Sequence, residues 1–128
     1  MIEVSEDDGR TITVHRGDKG ILVYSIPLSD TENFKFEKND IIKFTVFEKK
    51  GYDKNPVLVK EVKVSEDSEE VLIELTSEDT SLGDISNKPV TYWYEISLND
   101  NQTTLGYDKE DGAAELILLP AYVDGGDT

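Results

Sequence analysis

Apolar residues alternate with polar ones along most of this chain, with the period of two that puts successive side chains on opposite faces of a strand. The clearest case is Tyr92-Trp93-Tyr94-Glu95-Ile96-Ser97-Leu98. Tyr92, Tyr94, Ile96 and Leu98 fall on one face; Trp93, Glu95 and Ser97 fall on the other. The only Trp and two of the six Tyr are spent here, so the segment is expected to be the central strand of a sheet core. Arg10–His15 alternates with Ile12 and Val14 on one side, and Ile41–Glu48 with Ile42, Phe44 and Val46. Ile21–Leu28 points Leu22, Tyr24, Ile26 and Leu28 one way, and Pro27, which has no N–H to donate, ends it or sets it at an edge. Val57–Val64 alternates poorly because Lys60 interrupts the Leu58 and Val62 face, the signature of an edge strand guarded by charge. Val71–Leu75, Thr103–Tyr107 and Ala114–Leu119 complete seven or eight expected strands.

Turn residues punctuate these runs. Gly17-Asp18-Lys19-Gly20, Asn39-Asp40 and Asn99-Asp100-Asn101 supply tight turns, and Lys49–Pro56 reads as a hairpin loop. Ser77–Gly83 combines a capping residue, early acids and a closing Gly, which predicts one short helical turn. Short strands, frequent turns and no long helical pattern predict an all-β, antiparallel sandwich or barrel. An acidic turn followed by a Tyr-bearing strand narrows this to an immunoglobulin-like sandwich, with Tyr92 or Tyr94 closing the corner. The expected boundaries are a flexible segment over 1–9, the sandwich over 10–120 and a flexible tail over 121–128.

Composition bears mainly on partners. Against 13 Lys and Arg stand 28 Asp and Glu in 128 residues, a net charge of −15. This charge opposes binding to nucleic acid and to anionic membranes. The N-terminus lacks the basic and apolar regions of a signal peptide, so cytoplasmic synthesis is expected. With no Cys and the single His15, disulfides, Cys/His zinc sites and cysteine nucleophiles are excluded. His15 lies on a polar strand face with no nucleophile elbow anywhere in the chain, so no catalytic residue and no cofactor are expected.

Three weaker signals remain. Asp108 and Asp111, in Asp108-Lys109-Glu110-Asp111-Gly112, are the only calcium candidates; their spacing departs from that of helix–loop–helix calcium sites. Arg16-Gly17-Asp18 matches the tripeptide read by integrins and equally suits a hairpin turn. Trp93 is the residue best suited to stack on a sugar or a partner, if its face is not packed.

The order of features resembles the immunoglobulin-like N-terminal domains of baseplate and tail proteins of phages and prophages of Gram-positive bacteria. Arg16-Gly17-Asp18 precedes Gly20-Ile21-Leu22-Val23; then come Asn39-Asp40-Ile41-Ile42-Lys43-Phe44-Thr45-Val46, Asp79-Thr80, the Tyr92–Leu98 strand and Thr103-Thr104-Leu105. The resemblance runs from about Arg10 to Leu119. It implies a non-enzymatic virion structural protein, located in the virion, that contacts other tail or baseplate proteins, with self-association also open. Two departures, the stop at Thr128 where the family continues into a stalk or receptor-binding part and the acidic stretch Gly83–Pro89, favour a small structural or adaptor part. The alternative expectation is a carbohydrate- or cell-surface-binding sandwich that uses Trp93.

Overall fold

The structure, a computed structural model, describes residues 2–49, 56–107 and 112–121. Nine strands are present among the described residues: β1 (Glu3–Val4), β2 (Ile12–His15), β3 (Gly20–Tyr24), β4 (Ile41–Phe47), β5 (Leu58–Lys63), β6 (Val71–Leu75), β7 (Val90–Leu98), β8 (Gln102–Leu105) and β9 (Ala114–Leu119). They form a β-sandwich. One sheet runs β1-β2-β9-β7-β4-β5, with β8 also on β7; the other is the two-stranded ladder β3-β6. The adjacencies β9-β7-β4 and β3-β6 are those of the G-F-C and B-E strands of immunoglobulin-type sandwiches.

The expected alternation becomes the core. Phe44, Ile42, Val46, Tyr94 and Ile96 of β4 and β7 are sealed from solvent and meet Ile73 of β6 and Phe36 from the β3–β4 connection. The register sets Phe44 opposite Ile96 and Val46 opposite Tyr94, so both strands turn the same face inward. The Phe44 and Tyr94 rings lie 5.3 Å apart. A register shift between Ile96 and Ser97 lets one edge of β7 serve two partners in succession, β9 along Val90–Tyr94 and β8 along Ile96–Leu98.

Several expectations are corrected. The large sheet is mixed, not antiparallel, because β2 runs parallel to β9 and pairs Ile12 with Leu116. Nine strands replace seven or eight, since Glu3–Val4 pairs with β2. Strand pairing therefore begins before Arg10, and Ile2 packs against the core. The expected tail, apart from Ala121, lies outside the described residues. Ser77–Gly83 contains no helix. A hydrogen-bonded turn replaces it, with the Thr80 amide donating to the Thr76 carbonyl (3.3 Å) and the Ser81 amide to that of Glu78 (3.1 Å). Thr76, one residue before the expected cap, bonds Asp79 reciprocally: its amide donates to the Asp79 carboxylate (2.8 Å), and its hydroxyl accepts from the Asp79 amide (3.1 Å). This is a capping box without a helix behind it. Strand β3 stops at Tyr24, and Leu28, expected to point inward, is exposed.

Strand β5 does lie at the sheet edge, and Lys60 explains its broken pattern. Its ammonium sits 2.8 Å from the Asp79 carboxylate. An inward charge on an edge strand discourages pairing with other chains. Here it also ties β5 to the turn after β6. Partial burial works to raise the Asp79 pKa, but hydrogen bonds from Lys60 and Thr76 outweigh it and hold the carboxyl below its ordinary value.

Candidate functional site

Trp93 lies on the outer face of the large sheet, half-buried, between Phe47 on β4 and Glu115 on β9. Phe47 itself is buried although it is on that outer face. Only part of the indole is therefore presented. The neighbouring outer positions are Glu95 on β7 and Thr45 on β4, which pair with one another.

The second outer face is different. On the β3-β6 ladder Leu22, Ile73 and Val71 point into the core, leaving Ile21, Val23, Leu72 and Glu74 outside. Ile21, Val23 and Leu72 keep 51%, 52% and 53% of their surface exposed, and Val23 is paired directly with Leu72. A contiguous aliphatic patch of this kind marks an interaction surface more often than scattered exposed residues do. Glu74 and Glu78 line the shallow groove at one end of it, with Lys19. These residues escaped the sequence reading, which followed only the inward face. The available signal was that β3 and β6 are apolar on both faces, as in Ile21-Leu22-Val23 and Val71-Leu72-Ile73.

Between β3 and the N-terminal segment the seam of the sandwich opens into a cleft of about 460 Å³. Its walls include Val4, Ile12, Leu22, Tyr94, Ile96 and Leu105. Ile2 packs against Gly20 of β3, where a Cβ on residue 20 would come within 2.9 Å of the Ile2 side chain. In the cleft wall the Tyr24 hydroxyl donates to Thr104 Oγ1 (2.8 Å). Tyr94 reaches past the cleft, and its hydroxyl donates to the Arg10 carbonyl. That bond spans most of the chain, so Tyr94 does not close a local corner. Tyr92 instead ends against Gly83, in the loop that follows the capped turn.

The acidic N-terminal segment borders this cleft. Asp8 accepts hydrogen bonds from the Thr11 hydroxyl (2.6 Å), the Thr11 amide (2.9 Å) and the Arg10 amide (2.8 Å). These bonds, the hydroxyl foremost, lower its pKa from 3.8 to about 2. A carboxyl lowered on folding stabilises the fold above its unfolded pKa, near 3.8, and loses that contribution as pH falls through about 2. Asp8→Asn should therefore melt lower than the parent at pH 5, and the gap should narrow steeply toward pH 2. Solvent screening at this exposed site keeps the gap small. Melting curves at the two pH values check this, and a gap that does not vary with pH would refute it.

The remaining sequence candidates do not converge. His15 is exposed at the end of β2. The Arg16 guanidinium donates to the carbonyls of Ser81, Leu82 and Gly83, and the Thr80 hydroxyl donates to the Asp18 carbonyl (2.7 Å). The Arg16-Gly17-Asp18 tripeptide thus holds the 80–83 loop in place. Asp108 and Asp111 lie outside the described residues. Among the described residues no group of three or more His, Cys, Asp or Glu is placed to hold a metal ion, and no helix is long and apolar enough to cross a membrane. Family models, curated proteins and solved structures were all compared with the chain, and none matches.

Proposed function

We propose that this chain is a non-enzymatic structural module of the phage or prophage tail and baseplate type, which works by docking against other proteins. The observation that carries the docking reading is the half-exposed Ile21, Val23 and Leu72 face of the β3-β6 ladder. The assignment to a tail or baseplate rests on the order of sequence features from Arg16 to Leu105. An aliphatic face on a rigid ladder suits protein contact, in which a small apolar centre supplies most of the affinity. The glycan-binding alternative would use Trp93 with Glu95 and Glu115. Trp93 is partly covered beside buried Phe47, whereas Ile21, Val23 and Leu72 are each about half exposed, which favours the protein-docking reading.

The test is assembly of the purified chain with the products of the genes adjacent to its own, followed by size-exclusion chromatography. Co-elution with at least one tail protein is expected. Leu72→Lys places a charge in the patch and should weaken that complex by about tenfold or more without changing the melting temperature. A chain that stays alone with every neighbour, or a complex indifferent to Leu72→Lys, would overturn the reading.

A further inference from the structure

We infer that the seam beside β3 accepts an extended strand from a partner protein, one that alternates aliphatic residues with Lys or Arg. The inference rests on the docking reading and makes it specific. Strand β3 pairs only with β6 among the described residues, so its other edge has no ladder partner among them and can accept one. The two sides of the ladder differ. On the β6 side, the Lys60–Asp79 ion pair ties the turn after β6 to β5. On the β3 side there is the cleft, whose partly exposed walls are Val4, Tyr24, Ile26 and Leu105. A strand added to β3 would pair with the edge and drop every second side chain into that cleft, as in other cases of β-strand addition.

Charge selects the occupant. The N-terminal segment that borders the seam carries exposed Glu3, Glu6, Asp7 and Asp8. The one cation in the cleft wall, Arg10, donates its guanidinium to the carbonyls of Gly106 and Gly112. Of the four carboxylates only Asp8 lines the cleft itself, so cationic residues on the incoming strand would be drawn by the acidic segment beside the seam and by the net charge of −15 rather than by a preformed ion pair. A second copy of this chain would bring its own −15 and oppose the approach.

The experiment uses the full chain and three synthetic eight-residue peptides, alternating Val/Lys, Val/Glu and Ser/Lys. Binding is followed by NMR titration and by amide hydrogen exchange. The Val/Lys peptide is expected to bind and to slow exchange of edge-facing β3 amides by about tenfold, while the other two bind at least about tenfold more weakly. Val23→Lys, which guards the edge with a like charge, should weaken Val/Lys binding to a similar degree and leave the melting temperature unchanged. No binding, binding without β3 protection, or equal binding by the Val/Glu or Ser/Lys peptide would overturn the inference. The two readings fail separately. If Leu72→Lys abolishes assembly with tail proteins but β3 is never protected, docking stands and strand addition falls. If β3 is protected but assembly ignores Leu72→Lys, the docking face falls.

Discussion

Replacing Phe44 with Ala is expected to remove about 3–5 kcal/mol of stability, a large part of the roughly 5–15 kcal/mol available to a domain of this kind. Phe44 is fully enclosed at the middle of β4, with β5 on one side and β7 on the other. Two things place the cost toward the upper end of the range. Deleting the ring opens a cavity, and the cost rises with the volume left unfilled. The natural filler is the Tyr94 ring, 5.3 Å away, but its hydroxyl is bonded to the Arg10 carbonyl. Moving that ring inward would break this partly buried bond, so collapse is opposed. The melting temperature should fall by roughly 10–20 °C. Val59→Ala on the exposed face of β5 is the matched control and should stay within about 0.5 kcal/mol. Urea unfolding of both variants decides the point; a loss below about 1 kcal/mol at Phe44 would mean that the β4-β7 face is not the packed centre.

The elements that sequence alternation located well are those whose identity is local. Strands β4, β7 and β9 each place one clean apolar face inward, and any sandwich must bury such a face. Lys60 in β5 was also informative, because an inward charge is tolerated only at an edge with a partner at hand. What alternation could not supply is pairing. The parallel contact of Ile12 with Leu116 joins opposite ends of the chain, and nothing near either residue announces it. Strand β1 is too short to show a period. The turn after β6 has the capping signals of a helix, but one turn costs more to nucleate than its few hydrogen bonds return. The same distinction applies to the candidate site. That Ile21, Val23 and Leu72 are apolar is written in the sequence; that their ladder has no third strand and no covering layer among the described residues is a consequence of topology. Sequence alone does not decide whether Trp93 is packed or presented, because its cover depends on Phe47, a neighbour set by strand register.

Gly83→Ala should cost about 2–5 kcal/mol although it lies in a loop, and two separate costs compose it. Gly83 has φ of +63°, a conformation that a side chain disfavours by about 1–2 kcal/mol. A Cβ there would also stand 2.6 Å from the Tyr92 hydroxyl. Tyr92 is buried in the core cluster and cannot swing away cheaply, so the overlap adds roughly 1–3 kcal/mol of packing strain. Shifting the loop instead would disturb the Arg16 guanidinium, which donates to the Gly83 carbonyl (3.0 Å) and to that of Leu82. Tyr92→Phe separates the two costs, since it deletes only the oxygen that collides. The Gly83→Ala/Tyr92→Phe double variant should recover the strain portion and retain the backbone portion, giving a coupling energy of about 1 kcal/mol or more in a double-mutant cycle. Additive single effects would show that the hydroxyl is not what bars a side chain at this position, leaving the backbone conformation as the whole cost.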